Sequence, residues 1–526
     1  MNLWAPAGDA VQQSGNVTPD PPDIPPSDQG DRAEPVTTAS GRLTGTEVKK
    51  RAASGVMSIT FRAVGTRLLG GVGTLVLARL LTPGQFGDIA FGTALLAFGS
   101  LFADGGIATS LLRREQEPTR LELRAMLGFH LTVATAATVV IAAIGLPLGR
   151  AGQIAAIMAV ALPLDALRVP YAISVERRLR YGVFVWPQVI EVVAWNVIAV
   201  VAVALGLGVW GVAIAGPCRA LIGSIALIRV SPVSWLRPRL AFSVVKPLLA
   251  FGVIFQASNV VALLRDQGLY LVIAATSGLA VLGVWNLTNS VVGALAVGYL
   301  SLWQVAMPGL ARLVDAGEAV RPVVEQSLRI IAGATGCLCV ALAGTAPAAV
   351  PLLLGAHWHA IVPLLAYSAG GMLIGSTIAP VATGYFYATN RPGIPLRVVI
   401  VHTAVQFGVS VPLLAPLGAE ALGIGGCAAG VADGVFLGWA LARDGIELLA
   451  SCAVPIVLAI GAGTVGWFVA KAVSEPVLAL VASGVAGEVV YLAALTLMRR
   501  QLALEIVGVI QRHMLTRSAL RGAVAP

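Results

Sequence analysis

The chain has 526 residues, of which 57% are hydrophobic and only 12% are charged, and its mean hydropathy is +0.85. These values lie far from the balance of a soluble globular domain, so they exclude that class and indicate a polytopic membrane protein. The net charge of +9 would suggest nucleic acid in a soluble protein, but here the basic residues fall mainly in alternate loops.

Residues 1–52 are rich in Pro, Asp and Ser and contain no apolar run, which predicts a disordered cytoplasmic tail without a cleavable signal peptide. Beyond them, apolar runs of about 20 residues recur almost to the C-terminus, each long enough to cross a hydrocarbon core of about 30 Å. We therefore predict an all-α integral membrane protein with about fourteen transmembrane helices. The predicted spans are 57–79, 88–112, 124–146, 153–175, 183–205, 208–229, 247–275, 281–305, 328–354, 360–386, 396–416, 421–442, 449–471 and 477–498. A cytoplasmic C-terminal tail, 501–526, follows.

The loops predict the orientation of the chain. Alternate connections carry basic segments such as "VERRLRYG" and "TNRPGIPLR", whereas the intervening connections are short and nearly uncharged. By the positive-inside rule the basic loops are cytoplasmic, and both termini then lie on the cytoplasmic side. An even number of spans agrees with this orientation.

The most informative segment runs from Gly65 to Arg114 and consists of two spans joined by a Thr82-Pro83-Gly84 turn. Its runs "LARLLTP", "FG", "FAD-x-GI" and "LLR" resemble the opening helix pair of bacterial polysaccharide flippases, the Wzx or PST-type exporters of the MOP superfamily. The resemblance continues, in order, through "VERRLRYG", "GVWGVAIAG", "GLAVLGVWN", "MPGLARL", "GAHWHAIVPLL" and "YATNRPG". It covers roughly residues 55 to 400.

The resemblance implies a transporter, not an enzyme, that moves a polyprenyl-diphosphate-linked oligosaccharide across the bacterial inner membrane by alternating access. Membrane lipids and other polysaccharide-assembly proteins are the implied partners, and nucleic acid is not. The implied architecture is an N-lobe at 53–240 (helices 1–6), a C-lobe at 241–445 (helices 7–12) and helices 13–14 at 446–500. A short repeat, "ARLLTPGQFG" at 78–87 and "AATSGLAVLG" at 274–283, supports two related lobes.

Charged residues inside the predicted spans point to substrate binding, because ionised groups at bilayer depth must face protein or water. Arg67, Arg219 and Arg265 have no acid three or four residues away. We expect these arginines to line a cationic cavity that binds the lipid diphosphate, with structural pairing as the alternative. Asp266 either neutralises an arginine of the other lobe or takes part in ion coupling.

Neighbouring charges have simpler predicted roles. Arg265 and Asp266 are consecutive on a helix and point about 100° apart, so different partners are expected for them. Asp165 and Arg168 are three apart and can pair, and Arg168 is also a candidate for the substrate site. The resemblance places Asp104 near a cytoplasmic gate. Glu191 is expected close to the inner interface.

Three alternatives remain open: a MATE-like exporter of organic cations, a polymerase acting on the same lipid-linked sugars, and a non-transporting subunit. No G-x-x-x-x-G-K-[ST] motif and no D-x-D motif occur. No cofactor is expected, although H⁺ or Na⁺ could be the coupling ion. His357 and His359 make a poor metal site, and Trp358 is predicted to be an interfacial anchor.

Overall fold

A computed structural model describes residues 65–67, 69–104, 106–113, 116–178, 181–295 and 320–499. The regular elements in these ranges are all helices, so the predicted all-α class is confirmed. The two predicted tails, 1–52 and 501–526, lie outside the described residues, as do the start of the first predicted span and the "MPGLARL" loop.

The N-terminal half of the described chain contains nine α-helices. They are α1 (69–80), α2 (Pro83–Asp104), α3 (Ile107–Arg113), α4 (Arg120–Gly145), α5 (Arg150–Ala159), α6 (Ala161–Ala166), α7 (Val169–Arg177), α8 (Val185–Ala202) and α9 (Val209–Val230).

The remaining described chain contains another nine. They are α10 (Phe242–Thr276), α11 (Gly278–Leu295), α12 (Val320–Ala349), α13 (Ile361–Gly371), α14 (Thr377–Ala388), α15 (Gly393–Leu417), α16 (Glu420–Ala442), α17 (Leu448–Ala472) and α18 (Pro476–Met498).

Within these described ranges, nine helical segments are long and apolar enough to cross a membrane, or ten if one bent pair counts as a single span. Helices α2, α10 and α11 also coincide with predicted spans, at 88–112, 247–275 and 281–305. The chain is therefore a multi-pass helical membrane protein, and the number fourteen stays a prediction.

The bent pair is the fourth predicted span, which the structure breaks between α6 and α7 at an angle of 44°. Pro170 lies at the start of α7. Proline lacks the N–H that would bond to the preceding turn, so a kink is expected there. The break leaves Asp165 and Arg168 beside a bend in the middle of the predicted span instead of on a straight helix.

Helices α2 and α11 cross at very close range, and this contact joins the two halves of the chain. A Cβ atom at Gly87 would lie 1.7 Å from the carbonyl oxygen of Leu279, and one at Gly283 would lie 1.8 Å from that of Pro83. Only glycine permits such an approach of two backbones. These glycines end the two repeated segments, 78–87 and 274–283, which therefore meet each other.

A second contact at the same end joins the α1–α2 turn to the segment after α12. Trp358 is fully buried and donates its indole N–H to the carbonyl oxygen of Ala78 at 2.7 Å, and its ring packs edge-on against Phe86. Arg79 donates to the carbonyl oxygens of Leu352 and Leu353. The prediction of an interfacial anchor at Trp358 is wrong, because its side chain fills the contact between the halves.

Candidate functional site

Four charged side chains from three parts of the N-terminal half form one ion-pair network, which we call the N-terminal quartet: Asp165, Arg168, Glu191 and Arg219. Arg168 lies 2.8 Å from Asp165 and 2.6 Å from Glu191. Arg219 lies 3.2 Å from Asp165 and also pairs with Glu191. The pairing predicted for Asp165 and Arg168 is present, but each arginine contacts both acids.

The quartet carries no net charge, because two guanidinium groups face two carboxylates. A cavity of about 360 Å³ lies beside it and is bordered by Arg168 and Glu191. Glu191 is buried, with 7% of its surface exposed, and its expected position close to the inner interface stays a prediction. Arg219 does have acidic partners, and they come from other helices, which sequence spacing cannot reveal.

Arg265 and Asp266 pair with each other on α10. The Nε of Arg265 lies 2.7 Å from Oδ1 of Asp266, and Nη2 donates to Oδ2 at 3.2 Å. The expectation of different partners is therefore wrong, because the long arginine side chain spans the angle between consecutive helical positions. The Asp266 side chain is about half exposed, at 54%, and exposed ion pairs are weak.

Arg67 and Asp104 are the two remaining residues that the sequence predicted for the site or its gate. Arg67 is exposed and donates to the carbonyl oxygen of Gly293 on α11, 3.3 Å away, and no ion pair with another described residue involves it. It thus reaches from the first helix of one half to a helix of the other. Asp104 is the last residue of α2, and its side chain lies outside what the structure describes.

A polar cavity of about 480 Å³ lies among α10, α11, α13, α14, α15 and α16, and we call it the C-terminal cavity. Arg265 and Asp266 border it, and the other polar side chains on its wall come from six helices or helix junctions. They are Gln267, Tyr270, Asn289, Ser368, Ser376, His402, Gln406 and Asp433. Trp285 adds an aromatic face. A polar space among apolar helices can hold a polar solute inside a membrane protein.

His402 and Asp433 face each other in this cavity, and sequence reasoning did not place them there. The Nδ1 of His402 lies 2.7 Å from Oδ2 of Asp433, which makes the imidazole N–H the donor to the carboxylate. Asp433 retains 9% exposure, and its other oxygen, Oδ1, is buried and unpartnered within the described chain. An aspartate in the middle of an apolar span was the only available sequence signal.

An ion pair outside the helices explains one of the quoted motifs. Arg391 of "YATNRPG" donates to both carboxylate oxygens of Asp444, at 3.1 and 2.5 Å, and so fastens the loop before α15 to the loop after α16. These hydrogen bonds hold the pKa of Asp444 below its usual range. Asn390 takes a positive φ of 56° to make the turn, a conformation that asparagine tolerates.

Comparison with known proteins places this architecture. Residues 76–363, more than half of the chain, match the sequence profile of a family described as polysaccharide biosynthesis protein. The chain belongs to this family. One curated relative is the succinoglycan biosynthesis transport protein ExoT of Rhizobium meliloti (strain 1021), 26% identical over 346 residues, which are 61% of this chain and 69% of ExoT.

A second relative of this polysaccharide biosynthesis protein is the lipopolysaccharide biosynthesis protein WzxC of Escherichia coli (strain K12), 25% identical over 321 residues, 58% of this chain and 64% of WzxC. Among solved structures, the lipid II flippase MurJ in an inward closed conformation matches with a TM-score of 0.67 at 11% identity, over 84% of this chain and 98% of MurJ. An inward-facing MATE transporter of the MOP superfamily matches with a TM-score of 0.51 at 15% identity, over 72% and 94%.

The resemblance is thereby confirmed for the polysaccharide biosynthesis family, and the helical fold is similar to those of MurJ and the MATE transporter. The structural likenesses show the fold alone, because their sequence identities are so low. The role of the C-terminal cavity in this protein is therefore argued from the residues that line it.

Proposed function

We propose that this polysaccharide biosynthesis protein is a flippase that moves a lipid-linked oligosaccharide across the cytoplasmic membrane of a bacterium, for the assembly of a surface polysaccharide. The C-terminal cavity is the observation that carries the proposal, because a polar space bordered by Arg265 lies among helices that otherwise present apolar surfaces. A sugar headgroup crossing hydrocarbon unaided would lose its hydrogen bonds to water at a prohibitive cost. The names of ExoT and WzxC, a transport protein and a biosynthesis protein of surface polysaccharides, support the same function.

The anionic diphosphate of such a lipid suits arginine, whose planar guanidinium donates two parallel hydrogen bonds to phosphate oxygens. The quartet arginines are poor candidates, because their charges are already balanced by Asp165 and Glu191. Arg265 is a better one, since its only described acidic partner is the half-exposed Asp266, which a doubly charged phosphate group can displace. Arg67, without an acidic partner in the described chain, is the second candidate.

The proposal extends to the arrangement and the mechanism. Two lobes at 53–240 and 241–445, about fourteen spans and cytoplasmic termini would let the lobes open alternately to either side of the membrane. The close contact of α2 with α11 supports a closed end between the lobes. An inside-negative membrane potential of about 100 mV favours the outward movement of two negative charges by about 4.6 kcal/mol and could drive export. Antiport of H⁺ or Na⁺ is the alternative source of energy.

The test locates the lipid-linked intermediate in cells depleted of the protein. Spheroplasts are treated with a membrane-impermeant glycan-modifying enzyme, and the modified fraction of the intermediate gives its outer-leaflet share. Depletion of the protein should leave the intermediate in the cytoplasmic leaflet. Expression of the wild-type protein should restore its movement to the outer leaflet. Arg265→Ala should export it between about tenfold and about a hundredfold more slowly, because an arginine–phosphate contact is worth roughly 1.5–3 kcal/mol.

Arg229→Ala is the matched control, since Arg229 is an exposed arginine at the end of α9 and should leave export unchanged. All variants are compared at equal membrane abundance. Normal leaflet distribution in depleted cells, with short surface chains, would instead indicate a role in polymerisation. Equal export by wild type and Arg265→Ala would remove Arg265 from the substrate site.

A further inference from the structure

We propose that the C-terminal cavity is the site that recognises the sugar, with the free carboxylate oxygen of Asp433 as its central hydrogen-bond acceptor, and that it selects neutral over acidic sugars. This inference rests on the proposed flippase function and assigns the binding of the sugar to the residues that line the C-terminal cavity.

Two buried hydrogen-bond acceptors on the cavity-lining residues have no partner among the described residues. Oδ1 of Asp433 and Oε1 of Gln267 are both buried, both belong to residues on the wall of the cavity, and neither has a hydrogen-bond partner in the described chain. Buried polar atoms are nearly always paired, so two unpartnered acceptors on residues that line one cavity point to a ligand that brings donors. Sugar hydroxyl groups are such donors, and their bonds to a carboxylate are charge-assisted and short.

The rest of the wall fits the same ligand. Asn289 and Gln406 offer amides, Ser368 and Ser376 offer hydroxyls, and the buried Trp285 offers an apolar ring against which a pyranose ring can pack. The volume of about 480 Å³ lies in the range of about 300–1,000 Å³ typical of organic-ligand pockets. This volume is far larger than a bare ion needs, and the described part of the chain contains no group of three His, Cys, Asp or Glu side chains that could hold a metal ion.

His402 acts as a positioning residue. Its imidazole donates to Oδ2 of Asp433, which fixes the carboxylate, while Oδ1 has no partner in the described chain. The cavity wall then holds two carboxylates, Asp266 and Asp433, against one guanidinium, that of Arg265. When the diphosphate occupies Arg265, both carboxylates repel a uronic acid, whereas a neutral sugar has no such penalty.

The purified full-length protein in detergent tests this assignment by calorimetric titration with three short-chain polyprenyl diphosphates: one bare, one carrying glucose and one carrying glucuronic acid. Wild type should bind the glucose compound about tenfold more tightly than the bare compound, and the glucuronic acid compound no more tightly than the bare one. Asp433→Asn should abolish the tenfold gain and leave affinity for the bare compound unchanged, because the lost bond is to the sugar alone.

Two further variants distinguish the loss of a sugar contact from a general folding defect. Gln267→Met, which removes the other free acceptor at similar volume, should reduce the gain about threefold. Glu488→Gln, an acid within the α18 span that is not on the cavity wall, should preserve it. Equal gains for glucose and glucuronic acid, or a full gain in Asp433→Asn, would overturn the assignment. Failure of the bare compound to bind wild type would contradict the proposed function itself, and the sugar assignment would fall with it.

Discussion

Replacing Glu191 by alanine is expected to lower the free energy of unfolding by about 3 kcal/mol. Glu191 contacts both arginines of the N-terminal quartet, so its loss leaves two guanidinium groups facing one carboxylate, that of Asp165. Removing one partner of a buried ion pair costs about 3–5 kcal/mol, and the lower end applies because the arginine side chains keep 26% and 31% exposure.

Glu191→Gln separates charge from shape, since the amide fills the same space beside Gly223 but carries no charge. It should destabilise nearly as much as alanine if the balance of charge is what matters. Glu420→Ala, at an exposed glutamate in the first turn of α16, should change stability by less than about 1 kcal/mol. Reversible unfolding in mixed micelles measures all three, and equal stability of Glu191→Ala and Glu420→Ala would contradict the network.

Replacing Trp358 by alanine is expected to cost about 3–5 kcal/mol and to loosen the contact between the two halves of the chain. The fully buried indole packs against Phe86 and donates to the carbonyl oxygen of Ala78, so alanine leaves a cavity and removes the shorter of two contacts to this oxygen. The other contact is from Nε2 of His357, at 3.2 Å. Trp358→Phe keeps an aromatic six-membered ring but loses the N–H donor and the rest of the indole, which together should cost about 2 kcal/mol.

Trp186→Ala is the control for this prediction, because Trp186 is 71% exposed on the outside of α8. A pair of spectroscopic labels on α1 and on the segment after α12 would report their separation. Wild type and Trp186→Ala should give one narrow distance distribution, and Trp358→Ala a broader one. A distribution in Trp358→Ala as narrow as in wild type would show that this tryptophan does not hold the halves together.

Much of the fold is predictable from sequence because the membrane demands long apolar helices with satisfied backbones. The helix boundaries around the Thr82-Pro83-Gly84 turn and the "AHWHA" segment follow from proline and glycine. The bend between α6 and α7 was missed, since the apolar run through residues 153–175 continues across it. Hydropathy measures length and apolarity, and it does not register a local break.

The site was less predictable, because its geometry depends on contacts between distant helices. Spacing identified the pair of Asp165 and Arg168, three residues apart, but Glu191 and Arg219 join them only through packing of α8 and α9. The sequence analysis expected no pairing of Arg265 with Asp266, because the Cβ atoms of consecutive helical residues point about 100° apart. That angle does not restrict the end of a long arginine side chain, which reaches the neighbouring carboxylate. His402 and Asp433 are 31 residues apart, and no sequence pattern connects them.

The most direct test of the flippase function uses the purified protein in lipid vesicles with a fluorescent polyprenyl-diphosphate oligosaccharide in both leaflets. A membrane-impermeant quencher added outside reports the share of the lipid that reaches the outer leaflet. The flippase account predicts that quenching proceeds to completion in vesicles containing wild type and stops at about half in protein-free vesicles. Quenching that stops at half in both, while a fluorescent organic cation crosses only the protein-containing vesicles, would contradict it and indicate a drug exporter.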